Sequence, residues 1–381
     1  MRNRYDVIVI GLGAMGSCAL ATLAARGLRV LGVDRFDPPH DRGSSHGGSR
    51  VIRLSYFEHS DYVPLLRRAY EGFDRISRDA GVALRYETGL VAGGAPGNVV
   101  AAGMLRSARE HGLDVEAIDG RDLSRRYPQF RAPADWEIVC EKQGGFVRPE
   151  ATIRAALSLA VRAGAEIARN APLVDWTADD AGVRVDFGDR RASADAMVLA
   201  TGAWMPQSLG LAAPKLRPTR ETIVWVDDEG DPAWQHDAMP VWLFDRGSEP
   251  AVYGVPAFPG MGVQRGLKVG LHGRGPDVRP EEIDAPISRE IVDESVRAAA
   301  EHVVSLTGRK VVAAKHCLYT NSLDGDFVVG LHPAHGNVAM ACGFSGHGFK
   351  FAPVIGEALA DLATTRKTAL PIGFLSPTRF G

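Results

Sequence analysis

Glycines stand at 11, 13 and 16 in the run G-L-G-A-M-G, and an acid, Asp34, follows 23 residues after Gly11. Gly11 permits a tight turn, Gly13 lets the backbone approach a pyrophosphate, and Gly16 allows close helix–strand packing. Asp34 stands where a carboxylate accepts ribose hydroxyls. A second group surrounds Cys317 in H-C-L-Y-T-N, with Tyr319 two residues on. Most free cysteines are small buried apolar residues, and residue type alone leaves a reactive role open. A third group is cationic. His46, Arg50 and Arg53 lie in a Gly/Ser-rich stretch, and Arg50 and Arg53 share a face if that stretch is helical. Lys268 and His272, four apart in the alternating L-K-V-G-L-H, share a strand face. Gly343, Gly346 and Gly348 precede an apolar helical run, so the helix's free N–H groups and dipole face an anion. Lys350 sits between Phe349 and Phe351, an unattractive place for a surface lysine. For the other cations a solvated loop or strand face is the plain alternative.

These residues need elements to hold them. Y-D-V-I-V-I, Tyr5 to Ile10, suits a strand buried on both faces. A helix from Met15 to Arg26 follows, stopped by Gly27, and then a strand from Leu28 to Val33. Strand, turn, helix, strand and acid together make the glycine motif a specific sign of a dinucleotide, without separating FAD from NAD. Ala196 to Ala200 reads as a strand running into A-T-G-A-W at Ala200–Trp204, a pattern that recurs in two-dinucleotide-type flavoproteins. Ala352 to Leu362 reads as a helix. Thr222 to Val226 and Pro240 to Phe244 alternate as strands do.

Bulk properties narrow the classes. At 381 residues the chain exceeds one ordinary core, which predicts two intertwined domains. A formal charge of −2 draws neither nucleic acid nor an anionic membrane. No apolar window of about 18 residues is present, so no membrane span is expected. The four cysteines form no C-x-x-C pair, which argues against zinc and dithiol chemistry and fits a reducing cytoplasm.

Residues Asp37 to Arg53 read D-P-P-H-D-R-G-S-S-H-G-G-S-R-V-I-R. With G-L-K-V-G-L-H at Gly266–His272, H-C-L-Y-T-N-S-L-D-G-D at His316–Asp326 and G-F-S-G-H-G-F-K at Gly343–Lys350, this resembles the family of monomeric sarcosine oxidase, N-methyltryptophan oxidase and pipecolate oxidase. The likeness runs over essentially the whole chain. It implies FAD attached through a thioether from Cys317 to the flavin's 8α-methyl carbon. It puts His46 and Arg50 over one flavin face as catalytic residues, with Lys268 near N5 and His272 beside the flavin. It puts Arg53 and Lys350 at the substrate carboxylate, Lys350 also at the flavin carbonyl, and Tyr253 and Tyr319 in the substrate pocket. Gly11, Gly13, Gly16, Asp34, Gly343, Gly346 and Gly348 would hold the cofactor. At Ser45 the chain departs from sarcosine oxidase, which carries a histidine there, and R-G-S-S-H-G is closer to pipecolate oxidases.

The implied fold is mixed α/β and α+β, D-amino-acid-oxidase-like. A Rossmann-type FAD-binding domain (1–87, 148–220, 315–381) is interleaved with an antiparallel-sheet substrate domain (88–147, 221–314). The implied reaction is oxidation of a secondary or N-methylated amino acid by O2, with release of hydrogen peroxide, by a cytoplasmic monomer with no nucleic-acid or membrane partner. Alternatives are a flavin-dependent dehydrogenase with another electron acceptor, an NAD-dependent reductase, which leaves Cys317 without a role, and a noncatalytic dinucleotide sensor.

Overall fold

The apolar N-terminal run forms the strand Arg4–Ile10, and its alternate residues serve two cores. Val7 and Val9 face one cluster, Ile8 and Ile10 the other, as a strand buried on both faces requires. The computed structural model describes residues 4–188, 190–209, 215–258 and 265–380. Arg4–Ile10 lies between two parallel neighbours, Val30–Val33 and Arg191–Leu199. Glu166–Ala168 and His335–Cys342 extend the parallel array on either side. The hairpin Asp175–Asp179 and Gly182–Asp186, together with Val328–His332, completes an eight-stranded sheet.

Helices Ala14–Ala25, Pro149–Arg162 and Ala352–Thr365 cover one face through Leu20, Leu23, Ile153, Ile355 and Leu359. Each fully buried side chain of this kind contributes about 1.5–3 kcal/mol. The first helix begins tight against its strand. Gly11 has φ +87°, and a Cβ on Gly16 would lie 1.7 Å from the Gly11 carbonyl oxygen. Only glycine at 16 allows this strand–helix approach.

A second eight-stranded sheet runs in the order Val311–Asn321, Arg217–Val226, Leu267–Leu271, Glu249–Val255, Val241–Arg246, Leu90–Gly94, Glu137–Glu141, Val115–Asp119. It is antiparallel except between Val241–Arg246 and Leu90–Gly94. Helix Arg289–Ala300 packs on it beside Trp242, Phe244 and Val269. A small third sheet joins Arg50–Ile52, Gly145–Val147 and Arg85–Glu87.

The expected divisions at 220/221 and 314/315 fall inside Arg217–Val226 and Val311–Asn321. These strands pair with each other along their length, Arg217 opposite Asn321 through Val226 opposite Val311. Motif content suggested a change of domain there, but register decides where a strand ends. Cys317 and Tyr319 therefore belong to the second sheet. The stretch 259–264, within the expected substrate domain, lies outside the described residues. Among the described residues no helix is long and apolar enough to cross a membrane.

Candidate active site

A cavity of about 740 Å3 is lined from both large sheets. At one end are Gly11, Gly13, Ala14, Asp34, Thr201 and Trp204. Asp34 is 5% exposed, and its oxygens accept the Leu12 N–H at 2.7 Å and the Phe36 N–H at 2.8 Å. These bonds fix the turn and leave lone pairs toward the cavity. A Cβ built on Gly13 meets only the Ser45 hydroxyl, at 3.6 Å, so the turn stays open at the start of the helix. An open N-terminal turn beside a fixed carboxylate fits a pyrophosphate and ribose. Gly16 does not line the cavity; it supports the turn from behind.

The middle of the cavity holds Cys317, Arg50 and Lys268. Arg50 donates to the Cys317 sulfur at 3.3 Å and to the Ser44 carbonyl at 2.7 Å. Burial pushes the Cys317 thiol up, while Arg50 and Lys268 pull it down. The Lys268 ammonium, 1% exposed, donates to the carbonyls of Gly47 at 3.1 Å and Ser49 at 2.7 Å. Burial, then the Arg50 charge, holds Lys268 well below the usual lysine range.

Arg53, Lys350 and His272 form a further group on the cavity; Tyr319 joins it through His272, while Tyr253 lies by Arg50 and Cys317. Lys350 is 5% exposed and donates to the His347 carbonyl at 2.7 Å. Burial first, and Arg53 second, brings it down to about 7. His272 Nδ1 lies 3.2 Å from the Tyr319 hydroxyl, and burial holds the imidazole below its usual range. Gly343, Gly346 and Gly348 complete the wall. Gly346 has φ +81°, and a Cβ there would come within 2.2 Å of the Tyr319 ring.

The helix that would set Arg50 and Arg53 on one face is absent. Arg50–Ile52 is a strand, where residues three apart point to opposite faces. Both arginines reach the cavity because the chain turns after Ile52. His46 does not line the cavity, although Arg50 and Lys268, which do, lie close enough for their charges to act on it. It is 2% exposed, neither ring nitrogen has a hydrogen-bond partner among the described residues, and burial, then Arg50, lowers it to about 3. A neutral imidazole off the cavity lining supplies no cation to it.

Sequence reasoning missed Glu58. Its oxygens accept from Arg53 at 2.7 and 2.8 Å, and the guanidinium lies 4.4 Å from both the Tyr56 and Phe57 rings. Burial would raise Glu58, but Arg53, His347 and Lys350 outweigh it and hold it at about 2. The available signal was that a buried arginine requires a counter-ion, and Glu58 is five residues away.

A parallel sheet with a glycine turn aimed into a two-sheet cavity defines a dinucleotide-binding class of protein. The model of the family described as FAD dependent oxidoreductase matches residues 6–362, and the chain belongs to that family. It is 42% identical to the monomeric sarcosine oxidase of Streptomyces avermitilis, over all of this chain and 98% of that protein. It is 32% identical to the N-methyl-L-tryptophan oxidase of Salmonella arizonae, over 99% of each. Among solved structures, the Tyr258Phe variant of NikD, an unusual amino acid oxidase essential for nikkomycin biosynthesis, superposes with a TM-score of 0.86 at 22% identity. It covers 99% of this chain and 98% of its own, and shares the fold.

Proposed function

We propose that this protein oxidises a secondary or N-methylated amino acid, such as sarcosine, another N-methyl amino acid or a cyclic imino acid, with FAD attached covalently through Cys317. The observation that carries the reading is the pairing of two buried cations, Arg53 and Lys350, near His272, in one cavity with Tyr319 and Tyr253. Two buried cations at one wall favour a carboxylate. The sarcosine and N-methyltryptophan oxidases among the relatives support the same substrate class.

FAD, held by the Gly11–Gly13 turn, Asp34 and Cys317, would supply two-electron redox chemistry: the substrate amine would leave as the imine, and O2, with two electrons and two protons, would leave as hydrogen peroxide. The chain's own groups do the rest. Lys350 and Arg53 hold the carboxylate. The hydrogen-bonded His272 and Tyr319 border the amine. Glu58, held at about 2 and paired with Arg53, is a poor base, so the amine reacts after giving its proton to solvent. Lys268 offers positive charge where oxygen takes up electrons. Arg50 stabilises the Cys317 thiolate needed for attachment.

Acid denaturation tests the cofactor reading. A yellow pellet is expected. A yellow supernatant would refute the covalent link, and colourless fractions would refute the flavoenzyme. Peroxide release is then measured across N-methyl and cyclic amino acids. Turnover with an artificial electron acceptor but no peroxide would favour the dehydrogenase.

A further inference from the structure

Residues 47–55 carry Arg50 and Arg53 and present two carbonyls to Lys268, yet only Arg50–Ile52 is in a strand. Buried backbone polar groups need partners. This strap finds them in one neighbouring stretch, 141–150. Gly145–Val147 pairs with Arg50–Ile52, Arg50 opposite Val147 and Ile52 opposite Gly145. Glu141 precedes that strand, and Glu150 follows it in the first turn of helix Pro149–Arg162. Glu150 accepts the Gly47 N–H at 2.7 Å and the Gly48 N–H at 3.2 Å. Glu141, 3% exposed, accepts the Leu54 N–H at 2.7 Å, the Ser55 N–H at 2.8 Å and the Ser55 hydroxyl. One carboxylate therefore grips each end of the strap.

The two acids also stand near different cations. Around Lys268 are Arg50 from the strap, Cys317 from Val311–Asn321, the neighbouring His46, and Glu150, which favours the charged lysine. Around Arg53 are Glu58, Tyr56, Lys350 and Glu141. Neither Glu141 nor Glu150 lines the cavity.

We infer that Glu150 and Glu141 are positioning residues: Glu150 fixes the Gly47–Gly48 peptides so that the strap's carbonyls face Lys268, and Glu141 fixes the Leu54–Ser55 turn that aims Arg53 into the cavity. The roles of Lys268 and Arg53 rest on the function proposed above; the grip itself does not.

The test compares the flavin-loaded protein with Glu150→Gln and Glu141→Gln, which keep shape and remove charge. Hydrogen exchange over residues 43–58 reads the grip. Exchange is expected to rise about tenfold or more at Gly47 and Gly48 in Glu150→Gln, and at Leu54 and Ser55 in Glu141→Gln. Glu150→Gln also slows reoxidation by O2 and moves its pH dependence to lower pH, because the anion favouring charged Lys268 is gone. Its affinity for acetate stays near the wild-type value. Glu141→Gln weakens acetate binding and leaves reoxidation unchanged. Wild-type exchange in a folded variant overturns the assignment. So does faster exchange with neither kinetic change, or equal loss of both functions in both variants. Where a Gln variant does not fold, the Asp variant replaces it. The same amides then exchange faster, while the pH dependence keeps its wild-type position; slow exchange in the Asp variant overturns the assignment. If Lys268→Met reoxidises at the normal rate, the oxygen role of Lys268 fails, and exchange alone decides the grip.

Discussion

Arg53, Lys268 and Lys350 are buried cations on one cavity, and each is solvated differently. Among the described residues, Arg53 has the Glu58 carboxylate and the Ser55 carbonyl, Lys268 has two carbonyls and Lys350 has one. The single-carbonyl lysine has most to gain from an incoming carboxylate, and Arg53 adds a second positive charge near it. Lys350→Ala and Arg53→Ala are each expected to weaken carboxylate ligands roughly tenfold to a hundredfold, the range for a charge-assisted contact. Neutral amines should change far less. Titration of an amino acid and its amide against each variant decides it, and equal losses refute the assignment. Lys350, near 7 in the folded protein, is charged below that pH. Affinity for carboxylates should therefore fall as pH rises through about 7, and Lys350→Ala should abolish that component. At Lys268, Met keeps the length and removes the charge. Reoxidation by O2 is expected to drop about a hundredfold to a thousandfold while anaerobic reduction changes little. Stopped-flow measurement of the two half-reactions separates these, and a normal reoxidation rate rejects the role.

Secondary structure supplies the aim of these groups. Leu267–Leu271 presents Lys268 on the face that His272 continues, and Val311–Asn321 brings Cys317 and Tyr319 alongside, two residues apart. Cys317 is 2% exposed and its site is small, so Cys317→Ser should fold normally and lose flavin from the denatured chain. Flavin still migrating with that variant on a denaturing gel would put the attachment elsewhere. Gly346 is a sharper constraint. An alanine there faces both a left-handed φ and the Tyr319 ring, a combined strain of about 1–3 kcal/mol. Gly346→Ala should lower Tm and raise KM together, because relief of the clash moves Tyr319. An unchanged KM would mean that the ring's place does not matter to the substrate.

Across the whole molecule, burial holds several bases neutral. His46 is lowered to about 3, and His302 and His347 to about 4, each chiefly by burial. Unfolding returns them to about 6.5, so between about 4 and 6.5 the unfolded chain binds more protons than the folded one. Stability then rises with pH across that window. Glu58, about 2 when folded against an ordinary 4.5, adds a loss below 4.5 in the same direction. Urea midpoints of the flavin-free protein should climb from pH 4 to 6.5. A flat series would mean that these histidines are protonated in the folded state.

The glycine turn, Asp34 and the first strand were readable because their constraints are local: a tight turn, a close approach and a period-two apolar run lie within a few dozen residues. Lys268 and His272 were readable for the same reason, since spacing four on a strand fixes a common face. The misreadings are long-range. Arg50 and Arg53 have helix-compatible spacing, but pairing with Gly145–Val147 makes that segment a strand. His46 belongs to a polar stretch, yet packing removes it from water and from the cavity lining. The limits of Arg217–Val226 and Val311–Asn321 follow from mutual register, not from either sequence alone. Glu141 and Glu150 carry no local sign at all, because their partners lie about ninety to a hundred residues away in sequence and a hydrogen bond at that separation exists only once the sheets have closed.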